Sequence, residues 1–473
     1  MLKILLFNPP HPEGKGFTRE GRCTQEAGIW ATQWPPVSLA TIAAFLEKDG
    51  HQIKIIDCPA MGMDRRMFKD ELLCFSPDMV FWNTATPTLF HDLDLSRLIK
   101  KVSPHASTGV IGTHVTAIPE TALNFPGIDM VIRNEPEQTI REICLHPDTS
   151  WPKINGISYR SPDFGKIKHN PQQTFLKADA IPVPAWHLLD LTPYRLPLKG
   201  RPFLIVAPTR GCPFACSFCT APLYYGRRLR QRPVKAVVDE IENNITRFSI
   251  SDFFIWADTF TADNNYVYHF CREIKKRHLK IRWACNSRVD TVNKKLLAEM
   301  KSAGLWMISF GLESADNDIL EKSGKKINTA QSRLAVISAH TLGLKVSGHF
   351  IFGLPGENTR SMAKTLALAL ELPLDIAQFY AAAPFPGTAL YLLAVKKGWI
   401  TKEKNCSQNQ ATMHLPDLAP DQVNTFTRKA YRKFYLRPKT LQNLFSMLEP
   451  GAITGITTGL KRFLEWILRK DIR

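Results

Sequence analysis

Three cysteines stand within eight positions of the chain, in the stretch RGCPFACSFCTA at 210–221. Cys212, Cys216 and Cys219 follow the apolar run FLIVAPT with the spacing C-x3-C-x2-C. A structural zinc ion usually takes four protein ligands, but no further cysteine or histidine follows closely, since the next histidine is His269. Three thiolates on one loop instead suit a [4Fe–4S] cluster whose fourth iron stays open to bind a substrate or cofactor. The spacing therefore predicts an iron–sulfur centre.

The apolar segments around these thiols must position them. Between about residues 201 and 400, strand-like runs alternate with helical stretches. The runs are FLIVAPT, DFFIWAD, IRWACNS, WMISFGLE, KVSGHFIFG and DIAQFYAAAP. Six βα repeats predict a partial (β/α)6 barrel of the TIM type, with its active site at the carboxyl ends of the strands. The cysteine loop follows the first strand and is therefore expected at the mouth of the barrel.

A second alternating pattern occupies residues 1–145, with the apolar runs KILLFNP, IKIIDC, DMVFWNT, STGVIGT and DMVIRNE. Such runs separated by helices predict a Rossmann-like, doubly wound parallel sheet whose ligands bind beyond the carboxyl ends of the strands. Residues 146–200 hold eight prolines and predict a linker with a small β-element. The fold class is therefore α/β, and residues 401–473 are expected to form a basic, helical C-terminal extension.

The cysteine spacing, with Phe218 directly before the last cysteine and a barrel strand ahead of the loop, resembles that of the radical S-adenosylmethionine (SAM) superfamily. That resemblance implies that the three cysteines are catalytic, that the open iron binds SAM, and that reduction yields a 5′-deoxyadenosyl radical. It also implies SAM contacts at the strand ends, although each position taken singly is equally consistent with an ordinary turn. The expected SAM contacts are Phe218, Asp258, Asn286, Arg288, Ser309, Gly311, Glu313 and Gly353.

A parallel five-stranded domain ahead of such a barrel resembles the cobalamin-binding (B12-binding) subclass of this superfamily. Members that bind cobalt through histidine carry D-x-H-x-x-G after the first strand, but here Pro9 stands where the Asp would precede His11. A second partial match begins at Asp57, where Pro59 replaces the histidine. The resemblance therefore implies cobalamin without a histidine ligand, and the alternative is a purely structural domain. The expected cobalamin contacts are Thr84, Thr86, Gly112, Thr113, His114 and Glu135.

The order of the elements is most similar to that of hopanoid-biosynthesis radical SAM proteins and of the anaerobic magnesium-protoporphyrin monomethyl ester cyclase. This similarity implies an enzyme that changes a hydrophobic, lipid-like substrate by ring contraction, cyclisation or rearrangement, with an external electron donor such as flavodoxin or ferredoxin. One alternative is a cobalamin-dependent methyltransferase acting on an unactivated carbon of a lipid, tetrapyrrole or natural product. Others are a nucleic-acid modifying enzyme and a non-catalytic cobalamin or iron–sulfur protein. The sequence leaves the reaction open, because the radical meets substrate atoms rather than a diagnostic side chain.

The charge of the chain, 61 Lys and Arg against 43 Asp and Glu, invites an anionic partner. GRRLRQRP at 226–233 follows the cysteine loop, and GLKRFLEWILRK at 459–470 has the periodicity of an amphipathic helix, expected to dock on the barrel or to contact a membrane. Nucleic acid is the less favoured partner, because radical SAM enzymes that modify transfer RNA usually carry an added β-barrel. No apolar run reaches the roughly 18 residues of a membrane span, so we expect a cytoplasmic protein, at most peripheral to the membrane's inner face.

Overall fold

The computed structural model describes residues 1–12, 17–20, 33–147, 151–161, 165–400 and 406–452. Its N-terminal sheet contains β1 (Lys3–Asn8), β2 (Gln52–Asp57), β3 (Met79–Asn83), β4 (Ser107–Ile111) and β5 (Met130–Ile132). These strands are parallel and lie in the order β2-β1-β3-β4-β5. Because five successive residues of β1, 4–8, are buried, both faces of the sheet are covered, as the continuous apolar runs predict.

Helices connect these strands, as parallel pairing requires. The crossovers bring the carboxyl ends of the strands to one edge of the sheet, so the loops after β3 and β4 lie next to each other. The helices are α1 (Val37–Lys48), α2 (Cys58–Met61), α3 (Arg65–Phe75), α4 (Leu89–Val102), α5 (Thr113–Ala117), α6 (Pro119–Leu123) and α7 (Pro136–Leu145).

The β-element expected in the linker becomes part of the N-terminal sheet. Strand β6 (Ile157–Arg160) pairs antiparallel with β5, and β7 (Ile167–His169) pairs antiparallel with β6. The hairpin therefore satisfies the backbone groups that the edge of β5 would otherwise leave unpaired. Residues 170–200 then cross to the second domain with short 3₁₀ turns at Ala178–Ala180 and Trp186–Leu188.

The second domain is the expected open barrel. Its strands pair in parallel in the order β15-β14-β13-β12-β11-β8, so neighbours in sequence are neighbours in the sheet. They are β8 (Phe203–Val206), β11 (Asp252–Ile255), β12 (Arg282–Ser287), β13 (Leu305–Glu313), β14 (Lys345–Phe352) and β15 (Ile376–Ala381). A short antiparallel pair, β9 (Thr209–Arg210) with β10 (Arg230–Gln231), brackets the cysteine loop.

The helices of this domain alternate with its strands, in agreement with the βα repeats seen in the sequence. Several begin at a side-chain cap, as at Asn358, whose side chain accepts hydrogen bonds from the backbone of Arg360 and Ser361. They are α8 (Ala221–Tyr225), α9 (Val234–Phe248), α10 (Asn264–Lys276), α11 (Lys294–Ser302), α12 (Asn317–Lys322), α13 (Thr329–Thr341), α14 (Thr359–Glu371) and α15 (Ala389–Lys396).

The C-terminal extension is helical, as expected, with α16 (Pro420–Tyr435) and α17 (Pro438–Met447). Tyr435 Oη donates to the carbonyl of Ala377 at 2.8 Å, and Tyr431 Oη accepts from the amide of Phe379 at 3.2 Å, so α16 covers the edge of β15. The amphipathic segment 459–470 lies outside the described residues. Within the described ranges, none of the helices has the length and apolar character that a bilayer-spanning segment requires.

The two domains pack through buried aromatic residues. Half-buried Trp34, ahead of α1, makes edge contacts with buried Phe203 on β8, Phe254 on β11 and Trp256 directly after β11, with ring centroids 4.8–5.7 Å apart. Tyr194 in the crossing segment donates a 2.8 Å hydrogen bond to Asp57 at the end of β2. Aromatic contacts of this kind fix the orientation of the domains as well as burying apolar area.

Candidate active site

The backbone holds the cysteine loop from two sides. On one side, the amide of Cys212 donates to the carbonyl of Gly226 at 3.2 Å. On the other, the amide of Ser217 donates to the carbonyl of Ser323 at 2.8 Å. Gly211 has φ +85°, and a Cβ there would stand 2.2 Å from the carbonyl oxygen of Arg228, so only glycine fits.

Each of the three thiols contacts a polar group. Cys216 Sγ accepts from Arg288 Nη1 at 3.6 Å, and Cys219 Sγ accepts from the amide of Ala221 at 3.5 Å. Cys212 Sγ lies 3.9 Å from Thr259 Oγ1. The donors Arg288 and Ala221 stabilise a thiolate, the form that binds metal, and hydrogen bonds to sulfur also tune iron–sulfur potentials.

Three thiols that bind a cluster need not converge on one metal ion. In the described part of the chain, no three Cys, His, Asp or Glu side chains converge as ligands of one metal ion would. The cysteines of a [4Fe–4S] cluster bind different iron atoms, so their sulfurs need not converge on one point. Burial raises the pKa of the Cys216 thiol, whereas the positive charges of Lys325 and Arg288 lower it.

Two cations lie next to Cys216. The guanidinium carbon of Arg288 stands 3.8 Å from the ring centroid of Phe214, and its Nη2 donates to the carbonyl of Lys325 at 2.6 Å. The ammonium group of Lys325 donates to Glu313 Oε1 at 2.8 Å, and both side chains are less than 10% exposed. The structure thus brings together two of the predicted SAM contacts, Arg288 and Glu313, and adds Lys325, which the sequence analysis missed.

A bulge at the end of β13 turns Glu313 toward this group. The pairing register with β14 shifts between Gly311 and Glu313, and Glu313 has φ +60°, a strained conformation for a residue other than glycine. A Cβ on Gly311 would stand 2.5 Å from Glu313 Oε1 and 2.7 Å from Lys325 Nζ. Gly311 therefore leaves the space into which the carboxylate of Glu313 folds.

The other predicted SAM contacts are spread along the ends of the strands. Asn286 on β12 lies beside Ser309 on β13 in the pairing register, and half-buried Phe218 packs on the barrel core. Asp258 follows β11 and lines a cavity between the domains. Gly353 follows β14 with φ +83° and donates its amide to Glu357 Oε2 at 2.6 Å.

Glu357 holds the turn after β14 with a buried carboxyl group. Its Oε2 accepts the amides of Gly353 and Leu354, whereas Oε1 has no hydrogen-bond partner. Desolvation raises the pKa of Glu357 from 4.5 to about 8, against the opposing effect of the two amides. Glu357 is therefore protonated near neutral pH.

We expect Glu357→Gln to stabilise the protein at alkaline pH. Because the folded-state pKa lies above the unfolded value, the wild-type protein loses stability as pH rises from about 4.5 to 8. Glutamine keeps an oxygen for both amides and removes the ionisation. Thermal unfolding should give nearly equal midpoints near pH 5 and, above pH 8, a variant that is more stable than wild type by roughly 3–5 kcal/mol. Glu321→Gln, on the exposed surface of α12, is the control; parallel pH curves for wild type and Glu357→Gln would contradict the assignment.

The predicted cobalamin contacts gather at the edge of the N-terminal sheet. The amide of Thr84, after β3, donates to the carbonyl of Ile111 at the end of β4, at 2.7 Å. Gly112 has φ +147°, and a Cβ there would stand 2.5 Å from the carbonyl oxygen of Thr84. The two loops therefore touch, with Thr113 buried at the start of α5.

This edge carries buried polar atoms that the protein itself leaves unpaired. Thr86 Oγ1 and His114 Nδ1 are buried without a hydrogen-bond partner. Burial lowers the pKa of His114 to about 4, so the imidazole is neutral at physiological pH. Because such atoms are costly unless a ligand satisfies them, the edge fits a polar cofactor with many amide groups, as cobalamin has.

The two partial cobalt motifs engage their side chains locally. His11 Nδ1 accepts the amide of Phe17 at 3.2 Å, and Gly14 of that motif lies outside the described residues. Asp57 accepts from Tyr194 and Asn8, and burial raises the pKa of its carboxyl group to about 6. That cobalamin binds here without a histidine ligand stays a prediction from the sequence.

Glu135 is part of a buried ion-pair network between the domains. Arg210, two residues before Cys212, binds Glu135 at 2.5 Å and Glu137 at 2.7 Å. Arg230 binds Glu135 at 2.9 Å, and the amide of Leu176 donates to Glu135 Oε2 at 3.0 Å. Both carboxylate oxygens of Glu135 thus have protein partners, and the network connects the end of β5 to the cysteine loop.

A small cavity opens beside this network, between the start of α1 and the barrel mouth. Tyr225, Trp256 and Val37 contribute apolar side chains to its lining, and Arg210 and Asp258 contribute charged ones. The remaining lining residues are Ser38, Ala207 and Thr209.

Comparison with known proteins matches both domains to families. The Radical SAM superfamily model matches residues 206–369, and the B12 binding domain model matches residues 30–144. A protein of Pyrococcus horikoshii described as an uncharacterized methyltransferase is 33% identical over 447 residues, which cover 93% of this chain and 94% of that protein. The chain belongs to the cobalamin-binding radical SAM enzymes. Enzymes of the radical SAM superfamily use a [4Fe–4S] cluster and SAM, take small-molecule substrates and need a reductant; the B12-binding domain adds cobalamin.

Other known proteins resemble this one over most of its length. The anaerobic magnesium-protoporphyrin IX monomethyl ester cyclase of Rubrivivax gelatinosus is 28% identical, covering 88% of this chain and 76% of the cyclase. The cytidylyl-2-hydroxyethylphosphonate methyltransferase of Streptomyces wedmorensis is 27% identical, covering 88% and 86%. The solved structure of the methyltransferase TsrM from Kitasatospora setae, with cobalamin and a [4Fe–4S] cluster bound, shares the fold (TM-score 0.70, 16% identity, covering 95% and 89%).

Proposed function

We propose that this cobalamin-binding radical SAM enzyme is a methyltransferase acting on carbon in a small-molecule substrate. The observation that carries the proposal is the 33% identity, over nearly the whole of both chains, to a protein described as a methyltransferase. The Streptomyces wedmorensis methyltransferase supports it. These relatives favour methyl transfer, which was an alternative in the sequence analysis, over ring contraction or cyclisation, which was the first expectation there.

We assign Cys212, Cys216 and Cys219 as the cluster ligands and the polar strand ends as the SAM site. When bound, the cluster and SAM supply a 5′-deoxyadenosyl radical, and cobalamin supplies a transferable methyl group. Arg288 and Lys325 offset the negative charge of the thiolates and attract the carboxylate of SAM. Glu313 already binds Lys325 through Oε1 and offers Oε2 to the ammonium group of SAM. The other proposed SAM contacts are Phe218, Asp258, Asn286, Ser309, Gly311 and Gly353.

The cobalamin site follows from the unpaired polar atoms at the edge of the N-terminal sheet. Thr86 and His114 would exchange hydrogen bonds with the amide side chains of the corrin ring. Thr84, Gly112 and Thr113 shape the loops that approach it. The sequence analysis expected Glu135 to contact cobalamin. We propose instead that it forms ion pairs between the domains, because Arg210 and Arg230 already occupy its carboxylate.

The substrate is proposed to occupy the cavity between the domains. Its lining combines the side chains of Tyr225, Trp256 and Val37 with the charged groups of Arg210 and Asp258, and the lipid-like substrate expected from the sequence stays a prediction. Arg210 adds little net charge, because two glutamates neutralise it.

The products formed from SAM test the proposal. Methyl transfer uses SAM in two ways: one molecule loses its methyl group and becomes S-adenosylhomocysteine, and another is reduced and cleaved to methionine and 5′-deoxyadenosine. We expect reconstituted enzyme with cobalamin, reductant and cell lipid extract to form both products, with a mass gain of one CH₂ in one extracted compound. Formation of 5′-deoxyadenosine without S-adenosylhomocysteine would overturn the proposal.

Cyclisation is the second candidate, favoured by the match to the Rubrivivax gelatinosus cyclase. It predicts 5′-deoxyadenosine alone and a product without added carbon. SAM labelled with deuterium in its methyl group separates the candidates in one experiment, because only a methyltransferase moves the label into the product.

A further inference from the structure

We propose that four exposed cations around the outer side of the cysteine loop form a docking surface for an acidic one-electron carrier protein. They are Arg227, Arg228, Lys322 and Lys326, named here the cationic patch. The inference rests on the radical SAM activity, since only an enzyme of that class needs single electrons delivered to this loop. The carrier is thereby oxidised by one electron and the cluster reduced by one.

The first pair of cations follows the cysteine loop in space as well as in sequence. Gly226, directly before Arg227, accepts the amide of Cys212 at 3.2 Å. The carbonyl oxygen of Arg228 lies against Gly211 so closely that a Cβ on that glycine would stand 2.2 Å away. Arg227 and Arg228 are therefore fixed against the first cluster ligand.

The second pair flanks the loop from the end of α12 and the segment that follows it. Ser323 accepts the amide of Ser217, and a Cβ on Gly324 would stand 2.5 Å from the carbonyl oxygen of Ala215. Lys322 and Lys326 bracket this contact and both point to the surface. The loop thus lies between two pairs of cations.

The basic segment 226–233 divides its charges between the inside and the outside. Arg230 and Arg232 are turned inward and paired, with Glu135 at 2.9 Å and Glu240 at 2.6 Å. Arg227 and Arg228 are exposed, and within the ranges the structure describes no member of the cationic patch forms an ion pair closer than 4 Å. Ion pairing explains the inward arginines, but it does not explain the exposed ones.

The surface between the two pairs suits a protein partner. Pro213 and Ala215 are exposed there, at the outer side of the loop. Phe214 is half-buried and lies against Arg288, so it is not displayed for base stacking as in single-strand nucleic-acid sites. A small apolar centre inside a charged rim is the usual composition of a transient protein interface. Clustered cations also steer an acidic partner and raise its association rate.

The test compares two charge-reversal variants of the full-length enzyme, reconstituted with its cluster. One is Arg227→Glu with Arg228→Glu. The matched control, Arg66→Glu with Lys69→Glu, reverses two exposed charges on α3 of the N-terminal domain, and neither residue is ion-paired among the described residues. The probe is a bacterial flavodoxin kept reduced by its NADPH-dependent reductase.

We expect the patch variant to lose about tenfold or more in affinity for oxidised flavodoxin and in flavodoxin-driven formation of 5′-deoxyadenosine. High salt should weaken flavodoxin binding by the wild-type enzyme and reduce the difference in affinity between wild type and the patch variant. Cleavage driven by dithionite, which needs no docking, should be unchanged. The control should match wild type throughout.

Equal flavodoxin binding by wild type and patch variant would overturn the docking surface, and so would an equal loss in the control. A patch variant that loses binding of single-stranded RNA at physiological salt while keeping flavodoxin binding would assign the patch to nucleic acid instead. Absence of dithionite-driven SAM cleavage in wild type would contradict the enzyme activity itself, a failure distinct from that of the docking surface.

Discussion

Replacing Cys216 by alanine is expected to reduce SAM cleavage to background. Cys216 is the middle cysteine of the loop, and its Sγ accepts from Arg288, which in turn contacts the Lys325 segment. Loss of one thiolate removes an iron ligand outright, whereas loss of an outer-shell partner alone typically costs about 10–100-fold in metal affinity or activity. We therefore expect more than about a hundredfold loss of 5′-deoxyadenosine formation with dithionite, together with lower iron and sulfide content after anaerobic reconstitution.

The matched control is Cys74→Ala, which removes an exposed thiol from α3 of the N-terminal domain. It should retain the iron content and the cleavage rate of wild type. Wild-type cleavage by the Cys216→Ala protein would show that the three cysteines do not hold the cluster. Loss of activity with full iron and sulfide would instead assign Cys216 to a role after cluster assembly.

The strands and the loop chemistry could be predicted because both are local. Each core strand is a continuous apolar run, as in Phe203–Val206, and the thiol spacing fits within eight residues. Parallel topology then carries every strand end to one edge, which made Arg288 and Glu313 identifiable as neighbours of the cysteine loop.

Residues that act through distant contacts could not be predicted. Lys325 reaches Glu313 only because β13 ends in a bulge with Glu313 at φ +60°, and nothing in the letters LEKSGKK marks one lysine as buried. The pair of strands β6 and β7 was expected to be a separate linker element, but pairing with β5 across the sheet edge makes it part of the first domain. Long-range pairing depends on which edge is left open, and one strand's sequence does not contain that information.

The interdomain network was also hidden from the sequence, since Arg210 and Glu135 are 75 residues apart. We expect Arg210→Met to be the most destabilising single charge removal in this region. Arg210, Glu135 and Glu137 are all nearly inaccessible to water, and burial already raises the pKa of Glu137 against the opposing charge of Arg210. Removing one member of a buried ion pair leaves an uncompensated charge and costs about 3–5 kcal/mol.

Thermal unfolding and iron retention would measure this effect, because the network joins the N-terminal domain to the residue two positions before Cys212. The control Arg201→Met removes a half-exposed partner of Glu449 and should cost no more than about 1 kcal/mol. Adding Glu137→Gln to Arg210→Met should restore much of the loss, since the double variant no longer buries that unpaired carboxylate. An Arg210→Met protein with the midpoint and iron content of wild type would mean that aromatic packing around Trp34, rather than this network, holds the cysteine loop against the cobalamin-binding domain.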